Sequence, residues 1–127
     1  MSYIPGVHQR TFAFNYTLFA GATGSVVDKN LGSAFVAGET LLFATMHIGT
    51  FFDGTGIASG TLSIYQTSPT QTLVSGDSHV NNDNDIFGLL PPATQLGQLV
   101  VRLDVDGGNL ATLASGTCWV VVYYNKQ

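Results

Sequence analysis

The densest group of carboxylate and amide side chains lies between Asp77 and Asp85, around the run NNDND. Converging oxygens of this kind bind Ca²⁺, and an EF-hand loop needs them at alternate positions, with Gly sixth and Glu twelfth. A loop starting at Asp83 places Phe87 at position five and Thr94 at position twelve, and a start two residues earlier places Ile86 at position six. The spacing therefore favours a solvated loop with local Asx turns and predicts no metal or other cofactor.

Nucleophilic and histidine chemistry is also weakly supported by the spacing of the residues. No serine stands in a Gly-x-Ser-x-Gly motif, and Cys118 lies inside an apolar run where a thiol is usually buried and inert. The three histidines, His8, His47 and His79, are far apart in the sequence and lack the close pairing of a zinc site. We therefore predict that the chain is not an enzyme, and a small cupin-like enzyme ranks below the binding roles considered below.

The composition of the chain limits the kinds of partner that it can bind. The chain has 127 residues, of which 45% are hydrophobic and only 9% charged, whereas soluble domains carry about 25% charged residues. Four basic residues stand against eight acidic ones, for a net charge of −4, which argues against nucleic acid and anionic membranes as partners. No run approaches the roughly 18 apolar residues of a membrane helix. The surface must consist mainly of uncharged polar groups or be covered by other protein chains.

The sequence predicts short strands separated by Gly-rich turns, and these strands position the residues discussed above. Apolar and polar residues alternate with period two, and we find no convincing helix, repeat or linker. This pattern predicts an all-β chain that forms a single antiparallel β-sandwich, jelly-roll-like, spanning residues 1–127, with residues 1–10 as a candidate extended arm. Within one strand, Leu42, Ala44, Met46 and Ile48 are expected to share a face. The predicted strands are residues 11–19, 40–48, 61–65, 72–74, 99–105, 110–113 and 117–124.

The last of these strands is apolar on both faces. Trp119, Val121 and Tyr123 lie on one face, and the residues between them form the other. Such a run belongs at the centre of a sheet with both sides covered, or at a subunit contact, since exposed it would promote aggregation. We therefore predict that Trp119, Val121 and Tyr123 contact other copies of the chain.

Short motifs in the C-terminal two-thirds add a resemblance. A strand of alternating residues leads into Phe52-Asp53-Gly54, and a Ser115-Gly116-Thr117 step precedes a strand that closes in Val-x-Tyr-Tyr. Between Ala44 and Tyr124 the sequence resembles the small β-sandwich structural proteins of tailed bacteriophages, namely capsid decoration (cement) proteins and related virion components. The resemblance implies a sandwich, often trimeric, that binds across joints of an icosahedral shell without catalysis.

The resemblance sets the functional prediction. We expect a decoration protein that is located in the virion, is assembled in the host cytoplasm, and stabilises the shell as a homo-oligomer, a homotrimer in this reading. Its partners are then itself and the major capsid protein or another virion protein. The alternative is a carbohydrate- or receptor-binding module of a phage tail or head fibre, with sugar stacked on Phe87 or Tyr65. The contacts with the partner are predicted to come from the N-terminal segment 2–10 and from residues 81–92 of the long loop 77–98. The residues named for them are Tyr3, Ile4, Pro5, Asn81, Asn82, Asp83, Asn84, Asp85, Ile86 and Phe87.

Overall fold

The fold of a computed structural model consists almost entirely of antiparallel strands, as predicted. The structure describes residues 7–33, 39–67, 70–79, 86–93 and 98–126. These residues form two 3₁₀ turns, Tyr16–Phe19 and Leu110–Thr112, together with eight strands. The strands are β1 (Val7–Asn15), β2 (Val26–Ser33), β3 (Glu39–Gly54), β4 (Ser59–Gln66), β5 (Gln71–Asp77), β6 (Ile86–Ala93), β7 (Gln98–Asp106) and β8 (Leu113–Lys126).

The strands form two four-stranded sheets, in the orders β1-β8-β3-β6 and β2-β7-β4-β5. Every pairing within them is antiparallel. Eight strands that alternate between two sheets in this order make a jelly roll, so the predicted sandwich is confirmed. Strand β8 lies between β1 and β3, as its two apolar faces indicated, and its register runs from Val7 opposite Asn125 to Asn15 opposite Thr117.

The core fills the space between the sheets with the inward side chains of both. Strand β7 shows the predicted alternation, with Leu99, Val101, Leu103 and Val105 at most 3% exposed. The first sheet contributes inward residues from its two central strands, and the second sheet adds β4 and β5. The fully buried apolar side chains include Met46, Phe52, Leu62, Ile64, Leu99, Val101, Leu103 and Val120, each at 0% exposure.

Strand β3 departs from the predicted alternation at its start. A β-bulge between Leu41 and Phe43 shifts its register against both neighbouring strands. Because the bulge adds one residue, Leu41 is buried at 1% exposure and Leu42 is only half-buried, while Ala44 and Met46 remain inward. The predicted alternation was therefore wrong at the start of the strand, where Leu41 and not Leu42 is buried.

Two further segments differ from the predicted strands. Residues 16–19 and 110–112 are 3₁₀ turns, and in each the preceding asparagine, Asn15 or Asn109, accepts a hydrogen bond from the backbone two residues on, at 2.9 Å. Local capping of this kind stabilises a turn over a strand. The connection just before the second turn is as predicted, since Gly107 and Gly108 have φ of +77° and +65°.

The region 77–98 was predicted to be one long loop, but it contains strand β6. Residues Pro91 and Pro92 made this stretch unlike a strand, because proline cannot donate to a ladder. Strand β6 is the edge of its sheet, and the prolines fall in the irregular stretch between the Phe43–Leu89 and Leu41–Ala93 pairs. An edge strand tolerates proline there.

A buried ion pair fixes β1 to the start of β3 across the intervening strand. Glu39 is 2% exposed, and its carboxylate accepts from the Arg10 guanidinium at 3.0 and 3.3 Å. Arg10 also donates to the Tyr124 hydroxyl at 3.1 Å. These bonds raise the pKa of Arg10, chiefly through the Glu39 carboxylate. The first strand is therefore integral to the sandwich from Val7 onward.

Candidate functional site

The outer surface of sheet β1-β8-β3-β6 gathers the predicted oligomer contacts. Because Val120 and Val122 of β8 point into the core, Trp119, Val121 and Tyr123 point outward. Register places three outward residues of β1 and three of β3 directly beside them. We call this surface the aromatic face, and its described members are Gln9, Thr11, Ala13, Phe43, Thr45, His47, Trp119, Val121 and Tyr123.

Two cross-strand ring stacks dominate this face. Phe43 and Tyr123 stack with centroids 4.4 Å apart and planes 23° apart, and His47 and Trp119 stack at 4.1 Å and 21°. Each ring has one flat side covered by its partner, and Trp119 remains 42% exposed. The stacks stand as two ridges on the sheet. Val121, between them, is flanked in register by Thr11 and Thr45, and Thr45 pairs in turn with Phe87 of β6.

The aromatic face has no formal charge among its nine described side chains, since none is Asp, Glu, Lys or Arg. Removing charged groups from water at a permanent contact is costly, and the centres of protein interfaces are depleted in them and rich in Trp, Tyr and Phe. The composition of this face therefore suits contact with protein.

The outer surface of the second sheet has the opposite character, and we call it the polar face. Arg102 of β7 donates to both carboxylate oxygens of Asp28 on β2, at 2.7 and 2.8 Å, and the Tyr65 hydroxyl donates to Asp28 at 3.0 Å. The hydrogen bonds from Arg102 are the main cause of the lowered pKa of Asp28. A shallow groove beside this cluster is lined by Tyr65, Thr67, Thr70, Thr72 and Arg102.

A serine, a histidine and an aspartate meet at the end of β5. The Ser78 hydroxyl lies 3.1 Å from His79 Nδ1, and His79 Nε2 lies 3.6 Å from Asp53 Oδ1, too far for a hydrogen bond. Ser78 is 0% exposed, and its hydroxyl packs closely against Gly60. A nucleophile must reach its substrate, which this hydroxyl cannot. The Ser78 carbonyl accepts from Phe52 N at 3.1 Å, so the group connects the two sheets.

The one cysteine of the chain, Cys118, is free and buried. Burial raises the pKa of the Cys118 thiol to about 12, so the thiolate is scarce at neutral pH. Within the described ranges, His, Cys, Asp and Glu side chains do not gather in threes that could hold a metal ion. The same part of the chain contains no helix of the length and apolarity needed to cross a membrane.

The predicted contact residues fall into three groups. Trp119, Val121 and Tyr123 lie together on the aromatic face, and their role in assembly stays a prediction. Ile86 and Phe87 are in strand β6, where Phe87 pairs with Thr45 of β3. Tyr3, Ile4, Pro5, Asn81, Asn82, Asp83, Asn84 and Asp85 lie outside the described residues.

The sequence analysis did not assign Phe43 and His47 to the contact surface. The alternation of β3 already placed both opposite its buried residues, but only the pairing of β3 with β8 brings them against Tyr123 and Trp119. That pairing joins residues 72 to 80 positions apart, and no local pattern encodes it.

The chain is similar to a known protein in fold, and no sequence family is shown. No family model matches the chain, and no curated protein matches it. Among solved structures, a chain described as "Cyanophage Pam1 capsid asymmetric unit" is similar with a TM-score of 0.62 and 18% sequence identity. The match covers 100% of this chain and 91% of that chain. At this identity the similarity shows the fold alone.

Proposed function

We propose that the chain is a structural subunit of a bacteriophage virion: a capsid decoration (cement) protein that binds the shell as a homo-oligomer. Its partners are other copies of itself, in the trimer implied by the sequence resemblance, and the major capsid protein or another virion protein. The role requires no catalysis and no cofactor. Assembly takes place in the host cytoplasm, and the product is located in the virion.

One observation carries the proposal: the full-length fold similarity to a chain of a cyanophage capsid asymmetric unit. The aromatic face supports it, because uncharged aromatic surface suits permanent protein contacts. The short motifs between Ala44 and Tyr124 point to the same class from sequence.

In this proposal the protein acts by reinforcing the capsid shell mechanically. Each copy bridges neighbouring capsid chains, and many modest contacts repeated by symmetry resist the outward pressure of packaged DNA. The sandwich suits this load, because β8, at the centre of its sheet, is hydrogen-bonded on both sides over most of its length. The segments 2–6 and 81–87 supply the contacts with the shell in this proposal.

Quantitative mass spectrometry of purified particles tests the role. We expect hundreds of copies per particle, in a simple ratio to the major capsid protein. A few copies would indicate a tail or vertex component, and absence from purified particles would contradict a virion role altogether.

Deletion of residues 2–6, which is shorter than the candidate arm 1–10, tests whether this segment binds the shell. Residues 7–10 belong to β1, and Arg10 donates to the Glu39 carboxylate, so deletion of residues 2–6 removes no residue of a described strand. We expect this deletion to abolish binding to shells that lack the protein while the thermal unfolding midpoint stays unchanged. A variant with Tyr3, Ile4 and Pro5 replaced by Ser keeps the chain length and separates side-chain contacts from reach. Undiminished binding by both variants would contradict docking through this segment.

The groove on the polar face favours a second candidate, the glycan- or receptor-binding module. An aromatic ring, a guanidinium and three threonine hydroxyls, on Tyr65, Arg102, Thr67, Thr70 and Thr72, offer stacking and hydrogen bonds to a sugar. A glycan array followed by Tyr65→Ser tests this candidate. Binding that is lost in the variant would support it, and an array without binders would leave only the decoration role.

A further inference from the structure

We infer that the groove on the polar face binds a single uncharged sugar ring and discriminates against acidic sugars. This assignment rests on the second candidate of the proposed function, the glycan-binding module, and names the chemical class of its ligand. It does not require the decoration role, because the groove lies on the chain itself and needs no shell to complete it.

The groups that line the groove are held in place before a ligand arrives. The Tyr65 hydroxyl donates to Asp28 at 3.0 Å, and Asp28 also accepts from Nε and Nη2 of Arg102 at 2.7 and 2.8 Å. The Thr67 hydroxyl accepts from the backbone N–H of Gln98 at 3.1 Å. Binding therefore requires little ordering of Tyr65 and Arg102, and preorganisation of this kind raises affinity.

The unused hydrogen-bonding groups of the groove match the hydroxyls of a sugar. Thr70 and Thr72 are exposed, and neither hydroxyl has a hydrogen-bond partner among the described residues. Arg102 bonds Asp28 through Nε and Nη2, which leaves the two N–H donors of Nη1 available. A threonine hydroxyl donates and accepts, whereas Nη1 only donates. Neighbouring hydroxyls of one sugar ring, which also donate and accept, satisfy this mixed set.

The Tyr65 ring and the size of the groove limit how much sugar fits. The guanidinium carbon of Arg102 lies over this ring, 5.6 Å from its centroid, so a sugar meets the opposite face or the edge of the ring. The groove has a volume of about 320 Å³, whereas ligand pockets span about 300–1,000 Å³. A volume at the lower end of that range suits one ring.

The charges beside the groove select against an acidic ligand. Asp28 bonds Arg102 directly, and Asp104 is the next outward residue after Arg102 on β7. Both carboxylates raise the pKa of Arg102, Asp28 chiefly through its hydrogen bonds. Two negative charges therefore accompany one positive charge. This balance repels a ligand carboxylate and leaves uncharged hydroxyls unaffected.

Titration of the isolated protein with matched sugars tests the ligand class. The probes are the methyl glycosides of glucose and galactose and the corresponding methyl uronides, which differ only in a carboxylate. Backbone amide shifts in two-dimensional NMR spectra at low salt report binding. We expect a neutral glycoside to shift the amides of Thr70, Thr72 and Arg102 at millimolar concentration, and its uronide to bind several-fold more weakly.

Three variants test the place of the site and its charge preference, and the dispersion of the same spectra establishes that each is folded. Thr72→Val removes a groove hydroxyl at nearly constant volume, and Thr61→Val makes the same change at an exposed threonine outside the groove. We expect the affinity for the neutral glycoside to fall several-fold in the first and to stay unchanged in the second. Asp104→Asn should strengthen binding of the uronide alone, because it removes a repelling carboxylate.

The contrary results are distinct from one another. A uronide that binds as tightly as its neutral counterpart would overturn the charge preference. Neutral binding that is indifferent to Thr72→Val, or that shifts amides away from the groove, would overturn the location. No binding by any of the four probes would overturn the assignment as a whole. The glycan-binding candidate fails with it only if the array also shows no binder, and the decoration role is decided separately by the copy number in particles.

Discussion

At the scale of single residues, Gln66 is the least expected side chain of the core. It is 0% exposed, and neither its carboxamide oxygen nor its nitrogen has a hydrogen-bond partner in the described structure. A buried polar group without a partner costs about 1–3 kcal/mol. The alternation of β4 places this side chain inward, beside Ile64 in the sequence pattern, where an apolar residue would ordinarily stand.

We predict that Gln66→Met stabilises the fold by about 1–3 kcal/mol, because methionine has a similar volume and leaves no polar atom unsatisfied. Urea unfolding measures the change. Gln71→Met, at the half-buried residue that pairs with Gln66, is the control and should have a small effect. A loss of stability in Gln66→Met would show that the carboxamide is hydrogen-bonded in solution, through a buried water for example.

At the scale of elements, the two motifs behind the sequence resemblance meet in space. Gly116 of β8 has φ +143°, and a Cβ added there would lie 2.4 Å from the Phe52 ring of β3. The Phe-Asp-Gly and Ser-Gly-Thr steps therefore form one packing unit that fixes how these two strands cross.

We predict that Gly116→Ala destabilises the protein by about 3 kcal/mol or more, since backbone strain and overpacking add. Gly21→Ala is the matched control: φ is +87° and nothing lies within 4 Å of the added Cβ, so it should cost only about 1–2 kcal/mol. In a double-mutant cycle, Phe52→Leu should recover part of the loss in the Gly116→Ala background. Strictly additive losses would mean that the ring contact is not the cause.

The ion pair between Asp28 and Arg102 on the second sheet should make the free energy of unfolding depend on pH. The pKa of Asp28 is lowered chiefly by hydrogen bonds from Arg102, so its contribution is present above the unfolded value of about 3.9 and is lost as pH falls through the lower folded value. Asp28→Asn should therefore lower the urea midpoint slightly at pH 7 and leave it unchanged at strongly acidic pH. The effect is small because Asp28 is 39% exposed. An equal difference at both pH values would contradict this assignment.

Sequence patterns predict most of these elements, and the exceptions have local causes. Alternation identified β7 and β8 because their inward residues are uninterrupted, but it misassigned Leu42, where a bulge inserts one residue that no period-two pattern can anticipate. It missed β6 because Pro91 and Pro92 are acceptable only at an edge, and edge position is a property of the assembled sheet. The sequence predicted the β8 residues of the aromatic face. It did not predict Phe43 and His47 of β3, because their place beside β8 depends on long-range strand register.

At the scale of the whole molecule, the two outer surfaces differ in chemical character. One is uncharged and aromatic, and the other carries the Asp28–Arg102 pair and the hydroxyl-lined groove. The low overall charge of the chain is thus unevenly distributed, and it is the aromatic face that lacks charge. In the proposed virion role, we expect the aromatic face to contact protein and the polar face to remain in water.

The pairing of the first and last strands has a practical consequence for engineering. Val7 stands opposite Asn125, so the segments before β1 and after β8 leave the sandwich at the same corner. A peptide fused after the last strand would emerge beside the segment proposed to grip the shell and compete with it for space. Foreign sequence is better carried by the turn at Gly21, between β1 and β2, where nothing lies within 4 Å of an added Cβ and which follows the opposite end of β1.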